Sequence, residues 1–193
     1  QRLKEIFQDN QDLATILGSE PTPPELEAAR HFLWLNPERS NLFFANAVLI
    51  VEGLSEQVVI NYLIKTGQIP TDSKGVFVLE TQGKYNIHRF MNLLGAFRIN
   101  HAVLHDMDAN KTGSERDKQE KLNELINKSQ NPYTKAIDTL PSNLEDFLGI
   151  TGVQDRWKKA AQVFRAVQER KVDTTKLNEF TETVRNLLNA LAK

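Results

Sequence analysis

The sequence predicts an α/β domain: a mostly parallel four-stranded sheet flanked by helices, with a helical subdomain appended at its C-terminal end. Three observations predict it. Short apolar runs alternate with helix-length segments from residue 47 to residue 139, and strand-helix alternation implies right-handed crossovers and parallel strands. Two of the runs end in carboxylates, in Val51-Glu52-Gly53-Leu54-Ser55-Glu56 and in Asp106-Met107-Asp108, as befits open α/β sheets, whose ligands bind beyond the carboxyl ends of the strands. Beyond Pro141 only helical periodicity continues.

The elements follow in order. Residues 1–40 form a helical lead-in: Leu3, Ile6, Phe7, Leu13, Ile16 and Leu17 recur near helical spacing, Gly18 stops them, and Pro21, Pro23 and Pro24 make a stiff joint before a second helix from about Glu25. Residues 41–150 form the sheet domain. Ala47 to Val51 is a β-branched strand, Ser55 to Lys65 a helix, Val76 to Leu79 a strand, Asn86 to Phe97 a helix, Ala102 to Leu104 a strand and Gly113 to Ser129 a polar helix. A short strand from Lys135 to Thr139 completes the sheet. Residues 151–193 form two amphipathic helices, one with Trp157, Ala161, Phe164 and Val167 on its apolar side, the other with Leu177, Phe180, Val184, Leu187, Leu188 and Leu191. They are expected to pack on each other or on the sheet. Trp34 and Trp157 read as core.

Composition narrows the class of function. The 193 residues are 40 % apolar, enough for a real core. With no cysteine, disulfides and thiolate zinc sites are excluded, which fits a cytoplasmic protein, and any metal must be held by oxygen or by one of four histidines. No apolar stretch approaches a membrane span, and residues 1–20 mix charge with apolar positions unlike a signal peptide. Gln1 stands in what reads as mid-helix, so the chain is expected to be part of a longer protein. The formal net charge of −1 hides an asymmetry: residues 1–149 carry 15 Lys+Arg against 20 Asp+Glu, residues 150–193 nine against five. An acidic body with a basic tail suits a cation on one side and an anionic partner on the other; ordinary solvated helix faces would give the same counts.

The carboxylates are the candidate chemistry. Gly53 permits a tight strand-to-helix turn, so Glu52 at the strand end and Glu56 in the first helical turn converge on one point. The structural alternative makes Glu56 a first-turn residue favoured by the helix dipole and Ser55 a helix cap. Asp106 and Asp108 lie two apart, so in extended geometry both point to one face while Met107 points into packing. Carboxylates gathered in this way repel one another unless a cation neutralises them, and hard oxygen donors with room for water suit Mg²⁺ or Mn²⁺. Strand alternation turns His105 away from that face. Gly83-Lys84 before Asn86 either binds a phosphate at a helix start or is a loop capped by Asn86. His88 and Arg89 lie on the helix after it, where they can approach an anion.

The two acidic motifs in this order resemble the Toprim fold shared by topoisomerases, bacterial primases and certain nucleases, with a glutamate after the first strand and DxD after the third. Within it, Asn41-Leu42-Phe43-Phe44-Ala45, the VEGxSE form and Gly83-Lys84-Tyr85-Asn86-Ile87 are similar to the OLD (overcoming lysogenization defect) nucleases, over roughly residues 37–150. The resemblance implies a metal-dependent DNA endonuclease of little sequence preference that nicks and cleaves the phosphodiester backbone with two Mg²⁺ or Mn²⁺ ions. It implies metal ligation by Glu52, Glu56, Asp106 and Asp108, with Glu145 of the Leu144-Glu145 pair as a fifth ligand; alternatively Glu145 closes a capping box on Ser142. It implies a catalytic lysine beyond that pair, Lys159 in preference to Lys158, beside Glu52, Asp106 and Asp108. Lys84, Lys158 and Arg165 are the expected DNA contacts. The implied partners are DNA, an ABC-type ATPase domain of the intact protein and a second copy in a homodimer, the last also because the apolar helical tail reads as exposed. No GxxxxGK[ST] motif occurs in the chain, so ATP hydrolysis is not assigned to it. Defence against phage is a family-level implication.

Other classes are open. A Toprim module could bind metal and nucleic acid as a scaffold for the ATPase without cutting. A HAD-like phosphatase also carries DxD at a strand end, but on its first strand and followed by Thr or Val where this chain has Asn110. A topoisomerase needs a nucleophilic tyrosine, and Tyr62, Tyr85 and Tyr133 have no supporting constellation in the sequence.

Overall fold

The computed structural model describes residues 2–192 except 24, 28, 30–35, 38, 71–74 and 153–155, and leaves the side chains of residues 2–7, 156 and 157 undescribed. Trp34, the Trp157 side chain and much of the expected second helix therefore lie outside the described residues, although residues 25–27 are helical. Four parallel strands, β1 (Ala47–Val51), β2 (Val76–Glu80), β3 (Asn100–Asp106) and β4 (Thr134–Leu140), stand in the order β2-β1-β3-β4. Among the described residues the helices are α1 (Arg2–Leu17), α2 (Leu54–Lys65), α3 (Ile87–Ala96), α4 (Gly113–Lys128), α5 (Leu144–Phe147), α6 (Arg156–Gln168) and α7 (Thr174–Leu191). None is long and apolar enough to cross a membrane.

The central strand β1 is buried along its whole length, as its unbroken Ala-Val-Leu-Ile-Val run requires of a sheet covered on both faces. Its side chains alternate between two cores. Leu49 and Val51 meet Val59, Ile60 and Leu63 of α2, Val163 and Val167 of α6, and Phe180, Val184 and Leu188 of α7. Val48 and Ile50 join Leu79 of β2, Phe90, Met91 and Leu94 of α3 and Ile126 of α4 on the opposite face. In α1, Leu13 packs on Leu122 and Leu125 of α4, and Asp12 pairs with Lys128 at 2.6 Å.

The C-terminal helices share the sheet's core. α7 lies against β1, β3 and β4, and α6 packs on α2. Phe180, Val184, Leu187, Leu188 and Leu191 are buried there. The apolar face of the tail is thus covered within the chain, which removes the exposed surface on which the sequence-based homodimer expectation partly stood.

The order β2-β1-β3 places a topological switch between β1 and β3: the chain leaves β1 toward β2 and then returns across it to β3. The register sets Val51 beside Leu104, so Glu52 and His105-Asp106 emerge side by side at the carboxyl edge of the sheet. Open α/β sheets form their crevice at such a point.

Candidate metal and phosphate site

At the end of β1 the chain turns sharply into α2. Gly53 is the N-cap, in extended conformation, and its N–H donates to Glu56 Oε2 at 3.0 Å. Glu56 closes the capping box and is buried at the same time. Ser55 caps nothing: its hydroxyl donates to Glu145 Oε1 at 2.9 Å, across 90 residues of sequence. Glu52 is tied to the neighbouring strand, where Asp106 N–H donates to its Oε2 at 3.4 Å.

Glu145 enters from the short helix α5. The expected capping box on Ser142 does not form, because Asn143 is the N-cap and accepts from Asp146 N–H at 2.9 Å. Glu145 is 4 % exposed, and its Oε2 stands 2.8 Å from Lys159 Nζ of α6 without a well-aligned hydrogen bond. Lys158, the other candidate, is exposed, as is Arg165 two turns on. The helix register therefore brings Lys159 to the acids, and Lys158 and Arg165 to the outer side.

Asp108 departs from the expected extended geometry. β3 ends at Asp106, and Asp108 takes a left-handed φ of 53°, so the two aspartates do not continue one strand face. Met107 is 41 % exposed where packing was expected. Asp108 Oδ2 lies 2.5 Å from Lys84 Nζ, and that ammonium also donates to Gln119 Oε1 of α4 at 2.9 Å. Lys84, expected on DNA, is 4 % exposed and held inside the protein by these two partners. Arg89 is likewise turned inward, paired with Glu27. Asn86 precedes α3 but caps nothing; its amide donates to Thr81 O at 2.8 Å. His105 is buried, with Nδ1 3.1 Å from Asp106 O, and burial pushes its pKa down to about 4, so the ring is neutral.

Glu52, Glu56, Asp106 and Lys159 line one cleft of about 620 Å³, between the start of α2, the loop after β2 and α6. Its electrostatics are those of acids short of counter-charge. Burial, then repulsion by Glu52, Glu56 and Asp108, pushes the Asp106 carboxyl up to about 9. Burial, with repulsion from Glu52 and Glu145, pushes Glu56 up to about 7, and burial raises Glu52 as well. Lys159 is held above its ordinary value: burial opposes its charge, but Glu145 outweighs burial.

The donor chemistry fits a hard divalent cation. Carboxylates raised by burial and by one another's charge, beside a buried carboxylate oxygen met by a single lysine, are what such an ion relieves. Among the described residues no three His, Asp or Glu side chains are arranged to hold an ion as they stand. The internal bonds explain this: Gly53 occupies Glu56, Ser55 and Lys159 occupy Glu145, and Lys84 occupies Asp108. Ligation would turn these side chains from their partners.

A parallel sheet ordered β2-β1-β3-β4, with a glutamate after β1 and an Asp-x-Asp beginning at the last residue of β3, is a Toprim-like α/β arrangement. Residues 43–108 match the family model for the TOPRIM domain of overcoming lysogenization defect protein-like proteins. The match ends at Asp108, so Glu145 and Lys159 join the site on geometry alone. Solved structures similar to the chain include the C-terminal region of the Burkholderia pseudomallei OLD protein, at 20 % identity with TM-score 0.38, over 77 % of this chain and 87 % of that one. The C-terminal region of the Xanthomonas campestris pv. campestris OLD protein is similar at 20 % identity with TM-score 0.38, over 78 % and 85 %. No curated protein matches the chain.

Proposed function

We propose that this chain carries the nuclease domain of a divalent-metal-dependent DNA endonuclease, which nicks and cleaves the phosphodiester backbone with little sequence preference. The observation that carries this reading is the convergence of Glu52, Glu56 and Asp106 with Lys159 on one cleft, where burial and mutual repulsion raise the three acids. Glu52, Glu56, Asp106, Asp108 and Glu145 would hold Mg²⁺ or Mn²⁺, two ions in this reading. Bound ions supply a charge that activates water and stabilises the leaving oxygen at phosphorus.

The chain's own residues do the rest. Lys159 is a fixed cation at the cleft wall, suited to the extra negative charge of a phosphorane. Ser55 holds one oxygen of Glu145, which directs the other toward the cleft side occupied by Lys159. Lys84, pinned between Asp108 and Gln119, sets the position of Asp108. Lys158 and Arg165 on the exposed side of α6 suit sequence-independent contacts with phosphates. In the intact protein we place this domain beside an ABC-type ATPase in the cytoplasm, with phage defence as its setting.

The test is nicking of supercoiled plasmid with Mg²⁺, Mn²⁺ or Ca²⁺ by wild type, Glu52→Ala and Asp106→Ala. Both variants are expected to lose activity by at least about 100-fold, the order of one electrostatic group in a transition state. Undiminished cutting by both overturns the site. Inertness of all three proteins with every ion favours a non-cutting scaffold.

A further inference from the structure

One wall of the acidic cleft is aromatic. Tyr85 lines it together with Gln82 and Gly83, as do Lys159 and Ala160, and the tyrosine is 42 % exposed. We propose that Tyr85 is a stacking platform for a DNA base beside the scissile phosphate, so that the cleft takes a strand whose bases are unpaired. This rests on the nuclease reading and names the form of its substrate.

The platform is rigid, and it is fixed to the acids. Gly83 N–H donates to the Glu52 carbonyl at 2.9 Å, Thr81 Oγ1 donates to Gly83 O at 3.2 Å, and Asn86 N–H donates to the same oxygen at 3.0 Å. Arg89 Nη1 donates to Tyr85 O at 3.1 Å. Thr81 and Asn86 are buried. The backbone that carries the ring therefore moves as one body with Glu52.

The loop is also shaped around the ring. Gly83 has φ 120°, and a Cβ there would stand 2.9 Å from Tyr85 Cε1, so only glycine lets the ring lie where it does. Gln82 before it holds a left-handed φ of 60°, a conformation that non-glycine residues adopt reluctantly and that gathers at ligand-binding loops.

The chemistry of the cleft selects the ligand. The acids that line it would hold cations, and through them an anionic ester; a flat π face lining the same cleft suits a planar ring attached to that ester. A nucleotide in a strand has both. Every base has a π face, so a stack on Tyr85 adds affinity without reading sequence. In a duplex those faces are already covered, which is why the platform calls for an unpaired base.

The experiment measures fluorescence anisotropy of two labelled DNA strands with Ca²⁺: a single-stranded oligonucleotide, and the same length with every base replaced by an abasic residue. Wild type is expected to bind the base-bearing strand about tenfold more tightly, within the range of a base–aromatic stack. Tyr85→Phe should keep that ratio. Tyr85→Leu, which keeps apolar bulk without a π face, and Gly83→Ala, which displaces the ring, should each bring it close to one by weakening only the base-bearing strand. A ratio that survives Tyr85→Leu overturns the proposal, as does a Tyr85→Phe as impaired as Tyr85→Leu, or wild type that binds neither strand. Plasmid nicking by the same proteins separates the two readings. Nicking with no dependence of the ratio on Tyr85 removes the platform and keeps the nuclease, whereas a Tyr85-dependent ratio without nicking keeps the platform in a non-cutting module.

Discussion

Lys159 and Glu145 divide one charge between them, and their partnership separates two functions that a simple activity measurement would merge. Lys159→Ala leaves Glu145 with only the Ser55 hydroxyl, which frees its second oxygen for a cation. Mn²⁺ affinity, read by calorimetry, is therefore expected to hold or tighten, while kcat for plasmid nicking falls by about 100-fold or more. Equal loss of both would mean that Lys159 organises the ligands instead of meeting the phosphate. Glu52 and Asp106 were legible in the sequence because each directly ends a buried strand, where chain direction alone decides where the side chain emerges. Asp108 and Lys84 were not. The left-handed turn at Asp108 breaks the two-residue alternation, and the burial of Lys84 depends on Gln119, which reaches it from another helix. Ser55 and Glu145 both look like helix-start residues locally; their mutual bond spans 90 residues and leaves no local signature. Tyr85 was visible as a residue, but only the fold places it on the cleft wall.

At the scale of elements, α7 decides how the basic tail relates to the acidic body. Its period places Phe180, Val184, Leu187, Leu188 and Leu191 on one face, and the sheet covers that face. Phe180 is fully buried, so Phe180→Ala removes ring volume that neighbours cannot refill, and urea unfolding should show a loss of about 3–5 kcal/mol. A loss under about 1 kcal/mol would mean that α7 is only loosely docked. The strand-helix alternation was readable because β1 and β2 are continuous apolar runs and the helices between them are periodic. Boundaries were less so: β3 runs from Asn100 to Asp106, beyond the expected Ala102 to Leu104, because His101 and His105 are polar by type yet buried in the strand. The docking of α7 was undecidable from its own pattern, since an apolar stripe states that something covers it and not what. Docking α6 on α2 is what brings Lys159 to Glu56, so two helices far apart in sequence together build the cleft.

For the whole molecule, the crowded acids make stability depend on pH and on cations together. Asp106 has its folded pKa pushed up to about 9 from an ordinary 3.8, so between these values the folded chain holds a proton that the unfolded chain has released. Stability then falls as pH rises, by at most about 1.4 kcal/mol per pH unit for one group. Glu56 acts in the same direction from 4.5 to about 7. His105 acts in the opposite direction: its folded pKa of about 4 lies below its ordinary 6.5, so its contribution grows with pH over that interval and offsets the acids there. Above pH 7 His105 has finished titrating, while Glu56 is still losing its proton and Asp106 holds its own, so both carboxyls pull the slope downward, as does Glu52, which burial also raises. The melting temperature of the chain in EDTA is thus expected to fall between pH 7 and 9. Excess Mg²⁺ competes with the proton for the same oxygens, so its stabilisation should grow over that interval and flatten the fall. Asp106→Asn removes the group raised furthest and should make the slope markedly shallower and lower the dependence on Mg²⁺. Differential scanning calorimetry of the two proteins, with and without the ion, reads all four cases. A wild-type melting temperature that stays level or rises from pH 7 to 9 in EDTA would show that Asp106 is already ionised at neutral pH, and that the cleft does not need a cation to hold its charge.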